Sequence, residues 1–208
     1  MKQEVELIWI TPNAEQVIVD CARVSNPANQ GKEGSKLLKY LVKHKHWSPF
    51  EMASMCLSIK TTRDISRQII RHRSFSFQEF SQRYAEVDSS MFYDRECRLQ
   101  DQDNRQNSVV TDDPDVKALF MNLQDGVRRL SLESYKKALD NGIAKEQARA
   151  LLPEGMTGSH LYMSGTIRSW LHYVDVRGGN GTQKEHIEIA QMVKEIMQEH
   201  IPFIKGVL

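Results

Sequence analysis

The chain has 208 residues, of which 40% are hydrophobic and 26% are charged, and its formal net charge is +1. This length and composition predict one ordinary globular domain covering residues 1–208. A protein that only grips a nucleic-acid backbone is usually more basic. The cysteines Cys21, Cys56 and Cys97 form no C-x-x-C pair, which argues against a disulfide framework and a cysteine zinc site.

Two further features bear on location. No apolar run approaches the ~20 residues of a membrane span. The N-terminal stretch MKQEVELIWI is interrupted by acidic residues and is too short for the apolar part of a signal peptide. We therefore expect a reduced, cytoplasmic protein that has no contact with a membrane.

The first elements in chain order are a strand and two helices. VELIWI at 5–10 alternates well enough for a strand. Thr11-Pro12 is typical of an N-cap and a first helical position, and the helix should end before Asn26-Pro27. Leucines and a valine over 37–42 then predict a second helix, which the segment 46–50 should break.

A strand and a helix follow. Residues 53–59 alternate between apolar and small side chains, which predicts a half-buried strand. Thr62 can cap a helix over roughly 63–72, with Ile65 and Ile69 facing the core.

The second half is mainly helical. After strand and loop over 74–110, DDPDVKALF opens a long helix that runs through Leu139 and ends at Asn141-Gly142. Further helices are predicted at 144–152, about 157–176 and 183–200, the last with a Thr182/Glu185 capping box. The predicted class is α+β, with several long helices and a modest, mainly antiparallel sheet.

Cationic side chains cluster at the end of the helix predicted over 63–72. Arg63, Arg67 and Arg71 follow one another at a spacing of four, which places like charges on one helix face. The helix dipole alone would favour Arg71 and Arg73 at a C-terminus. The hydroxyls and the guanidinium that follow over 74–83 are what a phosphate requires.

Glu79 is out of place in a simple anion site, because a carboxylate repels phosphate. It is better suited to a sugar hydroxyl or another neutral donor. The segment therefore predicts a nucleotide ligand, with a phosphate end and a ribose end.

A nucleic-acid-binding module is the alternative. The arginine-lined helix 63–73 could grip the backbone, while Phe75, Phe77 and Phe80 stack on bases. The near balance of acids and bases argues against it. Such a module would bind polynucleotides in a salt-dependent way.

Two other patterns favour ordinary structural roles. His44 and His46 with His72 suggest a metal trio, but residues two apart do not share a helix face, and we expect no metal site. RGGNG at 177–181 resembles a glycine-rich phosphate loop, yet no strand leads into it, so we interpret it as a turn between helices.

Five ordered segments carry a family resemblance. Arg71-His72-Arg73, seven residues and Ser81 match RHR-x7-S, the motif of flavin-dependent thymidylate synthases. The other four segments are ARVS (22–25), HWSPFE (46–51), ARALLP (148–153) and SGTIRSWLHYVDVR (164–177). The sequence resembles this family over about residues 20–200.

The resemblance implies a function and an assembly. Members of this family methylate dUMP to dTMP, with 5,10-methylenetetrahydrofolate as carbon donor, NADPH as the usual reductant and FAD as hydride carrier. They share an α+β fold and assemble as homotetramers whose active sites are shared between subunits.

It also implies site residues, position by position. Arg177 matches the arginine held against the uracil, where it favours ionisation of the base, and is the implied catalytic residue. The positions matching dUMP contacts are Gln68, Ile69, Ile70, Arg71, Glu79, Phe80, Ser81, Gln82, Arg83, Arg149 and Arg177. The positions matching FAD contacts are Ser48, Arg71, His72, Arg73, Glu79, Thr166, Ile167, Arg168 and His172.

No enzyme nucleophile is needed in this interpretation. Ser81 has no histidine beside it in the sequence, and a hydroxyl without a base is a poor nucleophile, so we expect Ser81 to bind the nucleotide. The cysteines also lack an activating context. Met52 and His172 depart from residues common in the family, histidine and asparagine respectively, which leaves the roles of these two positions open.

Overall fold

The computed structural model describes residues 3–179 and 181–207. Within them the chain forms two compact units. Unit 1 comprises Gln3, Lys60–Arg71 and Glu79–Leu161, and unit 2 comprises Glu4–Ile59, His72–Gln78 and residues 162–207. Asn180, part of the predicted glycine-rich turn, lies outside the described residues.

Helices and strands alternate in the first part of the chain and helices dominate the rest, so the predicted α+β class is confirmed. The strands are β1 (Glu4–Ile10), β2 (Ser54–Thr62), β3 (Ser76–Glu79), β4 (Arg98–Gln100), β5 (Ser108–Val110) and β6 (Gly158–Thr166). The helices are α1 (Ala14–Ala22), α2 (Ser35–Lys43), α3 (Arg63–Ile69), α4 (Pro114–Asp140), α5 (Lys145–Ala148), α6 (Ile167–Arg177) and α7 (Lys184–His200).

The sheets are small, as predicted. Four strands form one sheet in the order β1-β2-β6-β3. The strands β4 and β5 form a separate antiparallel pair, in which Leu99 faces Val109. Because β2 lies inside the larger sheet, Met55–Ile59 is buried on both faces, and the prediction of a half-buried strand is wrong.

The prediction of a helix over 157–176 is also wrong for the first half of that range. Residues 158–166 form strand β6, and α6 begins only at Ile167, where the Thr166 hydroxyl accepts a hydrogen bond from Ser169 N at 3.3 Å. Glycines at 158 and 165 weaken a helix there, and β6 instead pairs with β2 and β3 in the sheet.

Helix starts and ends account for the remaining corrections. Thr11 does not cap α1, because its side chain hydrogen-bonds the backbone of Ser54, and Asn13 takes the N-cap position. The N-cap of α7 is Gln183 rather than Thr182. The helix after Thr62 ends at Ile69, earlier than predicted, although Ile65 and Ile69 are fully buried as expected.

Each unit has its own core. In unit 1, the last turns of α4 and α5 contribute Tyr135, Ala138 and Ala148 to a cluster with Val87 and Phe92. The asparagine-glycine stop after α4 is confirmed, since Gly142 adopts φ 79°.

In unit 2 the centre of the core is Trp170 of α6, which is fully buried. Its indole N–H donates to Met55 O at 3.0 Å, and its ring meets the Phe75 ring edge-on at 4.7 Å. Tyr173 of the same helix is also fully buried.

The described residues include neither a membrane-spanning helix nor a metal-binding cluster. No helix there combines the length and hydrophobicity needed to cross a bilayer. No group of three or more histidine, cysteine or acidic side chains there is arranged to hold a metal ion.

Candidate functional site

Unit 1 contains a cavity of about 450 Å³ lined by guanidinium groups. Helix α3 contributes Arg63 and Arg67, one turn apart on the same face, and the 3₁₀ turn after α5 contributes Arg149. Glu146 and Glu154 also line it. Three cations around one concave space favour an anionic ligand.

Arg63 is the most buried of these cations, with a side chain 8% exposed. Desolvation lowers the pKa of its guanidinium, while the nearby Glu79 carboxylate opposes that shift. Arg63 Nη1 lies 3.9 Å from Glu79 Oε1. A buried cation of this kind requires compensation, and Glu79 supplies it.

The Glu79 carboxylate is held in place by hydroxyls. Its Oε1 accepts hydrogen bonds from Ser66 Oγ and Ser159 Oγ, each at 2.7 Å. Its Oε2 lies 3.6 Å from Arg67 Nη1. In the described part of unit 1, Glu79 therefore contacts arginines and serines, which adds a structural role to the sugar contact expected from the sequence.

Gln82 supplies a donor that has no partner. Its side chain lines the cavity, the residue is only 3% exposed, and among the described residues Nε2 makes no hydrogen bond. Leaving a buried donor unsatisfied costs about 1–3 kcal/mol. A ligand oxygen in the cavity would relieve that cost.

Ser81 and Arg83 follow β3 in the same unit. Ser81 Oγ accepts from the backbone N of Arg83 at 3.3 Å, and in the described part of the chain this hydroxyl has no other hydrogen-bond partner. Arg83 forms an exposed ion pair with the cavity residue Glu146 at 3.4 Å. The nucleotide-binding role expected of Ser81 therefore stays a prediction.

The remaining residues predicted for dUMP in unit 1 do not line the cavity. Ile69 is fully buried in the core, Gln68 and Ile70 are half-buried, and Arg71 is exposed. The carbonyl of Phe80 faces Arg63 Nη1 at 3.5 Å.

Arg63 and Arg67 were absent from the predicted site. Their spacing of four was nonetheless visible in the sequence as a line of cations on one helix face. The cavity of unit 1 thus combines Gln82 and Arg149, which were predicted, with two arginines that were not.

Unit 2 contains a polar cluster between α6, α7 and the turn at His72. Arg177 Nε donates to His72 Nε2 at 2.8 Å. The Tyr173 ring meets the His72 ring edge-on at 5.0 Å, and Tyr173 OH lies 3.0 Å from His186 Nε2. Tyr173 and His186 are fully buried, while Arg177 is half-buried.

Burial keeps the histidines of this cluster neutral. Desolvation, with smaller contributions from Arg177 and His172, lowers the pKa of His72 to about 4. Desolvation, Arg177 and His72 lower the pKa of His186 to about 3. Burial raises the pKa of Tyr173, so its hydroxyl also stays protonated. The only formal charge in this cluster at neutral pH is that of Arg177.

The other positions predicted for FAD in unit 2 fall into two groups. Ser48, Arg73 and His172 are exposed, and among the described residues their side chains make no hydrogen bond or ion pair. Thr166 caps α6, Ile167 is fully buried, and Arg168 forms an exposed ion pair with Glu51 at 3.3 Å. Arg168 is therefore an exposed rather than a buried arginine of α6.

Comparison with known proteins agrees with these observations. Residues 6–203 match the family described as Thymidylate synthase complementing protein. A probable flavin-dependent thymidylate synthase of Paramecium bursaria Chlorella virus 1 is 50% identical over 94% of this chain and 90% of its own length. A flavin-dependent thymidylate synthase of Synechocystis sp. is 47% identical over 93% and 89%.

A solved structure is also similar. The UMP/dUMP methylase PolB from Streptomyces cacaoi, bound with 5-Br dUMP, superposes with a TM-score of 0.86 at 28% identity, covering 97% of this chain and 92% of that one. The match over nearly the whole length and the high identity to both relatives lead to one conclusion. The chain belongs to the flavin-dependent thymidylate synthase family.

Proposed function

We propose that the protein methylates dUMP to dTMP in a flavin-dependent reaction. The observation that carries this proposal is the unit 1 cavity, where three guanidinium groups surround a buried amide donor without a partner. One guanidinium can donate two parallel hydrogen bonds to two phosphate oxygens. Gln82 Nε2 would donate to a neutral oxygen of the same ligand. The methylase bound to a dUMP analogue is consistent with such a ligand.

Arg149 and Arg67 are the residues assigned to the phosphate in this proposal. Both line the cavity, and Arg67 is half exposed while it contacts Glu79. Arg63 adds charge from a buried position and is held by Glu79. Ser81 and Arg83 extend the same donor set after β3.

Arg177 is assigned to the uracil. A guanidinium keeps its charge at any working pH, so it stabilises negative charge on the base without a proton transfer. The neighbouring His72 and His186 in unit 2 are neutral at pH 7, because their pKa values are lowered to about 4 and about 3. Neither histidine therefore changes the net charge that Arg177 brings to the cluster.

The residues of unit 2 fit a flavin. Arg73 and His172 present donors that no described side chain uses, and Arg73 is a cation suited to a pyrophosphate. We assign FAD to the positions named above from the resemblance, with backbone contacts at Ile167, because its side chain is buried. When bound, the flavin would supply hydride-transfer chemistry, with NADPH as reductant and 5,10-methylenetetrahydrofolate as carbon donor.

The nucleic-acid alternative loses its stacking residues. Phe75 is buried against Trp170, and Phe77 and Phe80 are half-buried, so these rings do not form an open platform for bases. We do not retain this alternative.

A homotetramer is proposed from the surface of α4. Large apolar side chains at spacings of four, four and three form an exposed stripe along this helix: Leu119, Leu123, Val127 and Leu130. A contiguous apolar stripe on a long helix is typical of a subunit interface. The stripe supports self-association of the chain. We further propose that the enzyme is cytoplasmic.

The test is dTMP formation from dUMP, 5,10-methylenetetrahydrofolate and NADPH at low oxygen, with and without added FAD. We expect product that depends on FAD. Yellow, folded protein that forms no product would contradict the substrate assignment. Colourless protein that neither binds flavin nor forms product would contradict the whole proposal.

A further inference from the structure

Arg177 is the half-buried last residue of α6. The next residue, Gly178, leaves no room for a side chain, because a Cβ there would lie 2.7 Å from Val174 O. Among the described residues, the bond from Arg177 Nε to His72 Nε2 is the only hydrogen bond of this guanidinium. Both terminal nitrogens therefore stay available as a two-pronged donor.

The chemistry of this bond fixes the state of His72. Arginine has only donors, so His72 Nε2 must accept through its lone pair and any ring proton must lie on Nδ1. A protonated imidazole could not accept, and the pKa of His72, lowered to about 4 chiefly by burial, keeps the ring neutral at pH 7. The neutral His72 therefore orients the Arg177 guanidinium and leaves its positive charge intact. A carboxylate partner would orient the group but neutralise its charge.

The orientation of the His72 ring is set by a second pair. Tyr173 meets it edge-on at 5.0 Å, and Phe75 does so at 6.4 Å. Tyr173 cannot turn away without losing its hydroxyl contact to His186, and both residues are fully buried. The titratable or charged groups around His72 are His172, Tyr173 and Arg177 on α6 and His186 on α7.

We propose that His72 is a positioning residue for Arg177, and that the buried Tyr173–His186 pair holds the His72 ring in place. This inference rests on the proposed function, in which Arg177 contacts the uracil. It gives the central histidine of the RHR motif a task that is separate from any flavin contact.

A double-mutant cycle tests the proposal. His72→Leu removes the acceptor, whereas His72→Gln keeps an oxygen that can accept from Arg177. We expect His72→Leu to lower kcat/KM for dUMP by about 10- to 100-fold, the loss typical of a misplaced catalytic group, and His72→Gln to restore most of it. In an Arg177→Ala background, His72→Leu should have no further effect.

Flavin absorbance of each variant separates this role from cofactor binding. Losses that multiply in the double variant, or full activity of flavin-bound His72→Leu, would overturn the proposal. His200→Gln, near the end of α7 and outside the cluster, is the matched control and should behave as wild type.

If His72→Leu does not fold, Tyr173→Phe tests the same arrangement, because it removes one oxygen and keeps the ring. It should lower kcat/KM in the wild-type background only, and equal losses in both backgrounds would overturn the proposal.

A readout independent of activity covers failure of the proposed function. In protein labelled with ¹⁵N-arginine, the Arg177 Nε–H signal should exchange slowly with water in wild type and His72→Gln and rapidly in His72→Leu. If wild-type protein forms no dTMP, this contrast still decides whether His72 holds Arg177, and rapid exchange in wild type would contradict it.

Discussion

The Glu79 carboxylate balances the charge of the buried Arg63 guanidinium. It accepts from two serines and lies within ion-pair distance of Arg63 and Arg67. Removing one partner of a buried pair costs far more than removing a surface ion pair, because the remaining charge stays desolvated. We therefore expect Glu79 to contribute to stability as well as to the proposed ligand site.

We expect Glu79→Ala to lower the free energy of unfolding by about 3 kcal/mol, measured by urea denaturation. The control is Glu86→Ala, which removes an exposed ion-pair partner that lies 3.3 Å from Lys145. This substitution should change the free energy of unfolding by less than about 1 kcal/mol. Equal effects of the two substitutions would show that Glu79 does not balance a buried charge.

Arg177→Ala tests the assignment of the uracil contact. Arg177 is half-buried at a helix end, and among the described residues its side chain hydrogen-bonds only to His72. The variant should therefore stay folded and retain flavin. Formation of dTMP should fall by about 100-fold or more, as on removal of a charge-stabilising donor. Unchanged turnover would remove Arg177 from the mechanism.

His186 links stability to pH. Its pKa is lowered from 6.5 to about 3 in the folded chain, chiefly by burial, so the unfolded chain binds a proton more readily. Its contribution to stability is complete above about pH 6.5 and declines as the pH falls towards the folded-state pKa, by at most about 1.4 kcal/mol per pH unit.

In urea unfolding experiments between pH 7 and pH 5, the free energy of unfolding should therefore fall more steeply with decreasing pH for wild type than for His186→Leu. The exposed His44 offers the control, since His44→Gln should keep the wild-type slope. Parallel slopes for wild type and His186→Leu would contradict a neutral, buried His186.

At the scale of elements, strand β6 depends on a close approach between a glycine and a ring. A Cβ on Gly165 would lie 2.4 Å from Phe75 Cδ1, and that ring is packed against Trp170. The strand therefore excludes even a methyl group at this position.

Gly165→Ala should lower the free energy of unfolding by about 1–3 kcal/mol, because the buried ring must move. Gly155→Ala is the matched control, since a Cβ there meets no atom within 4 Å. Thermal or urea unfolding of both variants decides the matter, and an equally stable Gly165→Ala protein would show that the ring yields freely.

Elements with strong local signals were predicted well. Helix α4 starts where Asp113 accepts from the backbone N of Asp115 and Val116, and it ends at Asn141-Gly142, as its sequence indicates. Residues 158–166 were mistaken for helix because an apolar run does not reveal its partner strands.

At the scale of the whole molecule, the stripe on α4 is the surface that we propose for self-association. Leu123→Glu with Leu130→Glu should dissociate the proposed homotetramer into smaller species, measured by light scattering coupled to size-exclusion chromatography. Met121→Glu is the control, because Met121 is as exposed but lies off the stripe. An unchanged molar mass in the double variant would place the interface elsewhere.

The sequence by itself determined the family, most helices and the positions of the RHR motif, because these depend on residue order and on local periodicity. Only the tertiary structure decided that Arg63 and Arg67 line a cavity with Arg149, that Gln82 Nε2 is buried with no hydrogen-bond partner among the described residues, and that His72 accepts from Arg177. The physical reason is that burial and hydrogen-bond partners arise from residues far apart in the chain, 105 positions in the case of His72 and Arg177, and spacing along the chain carries no record of them.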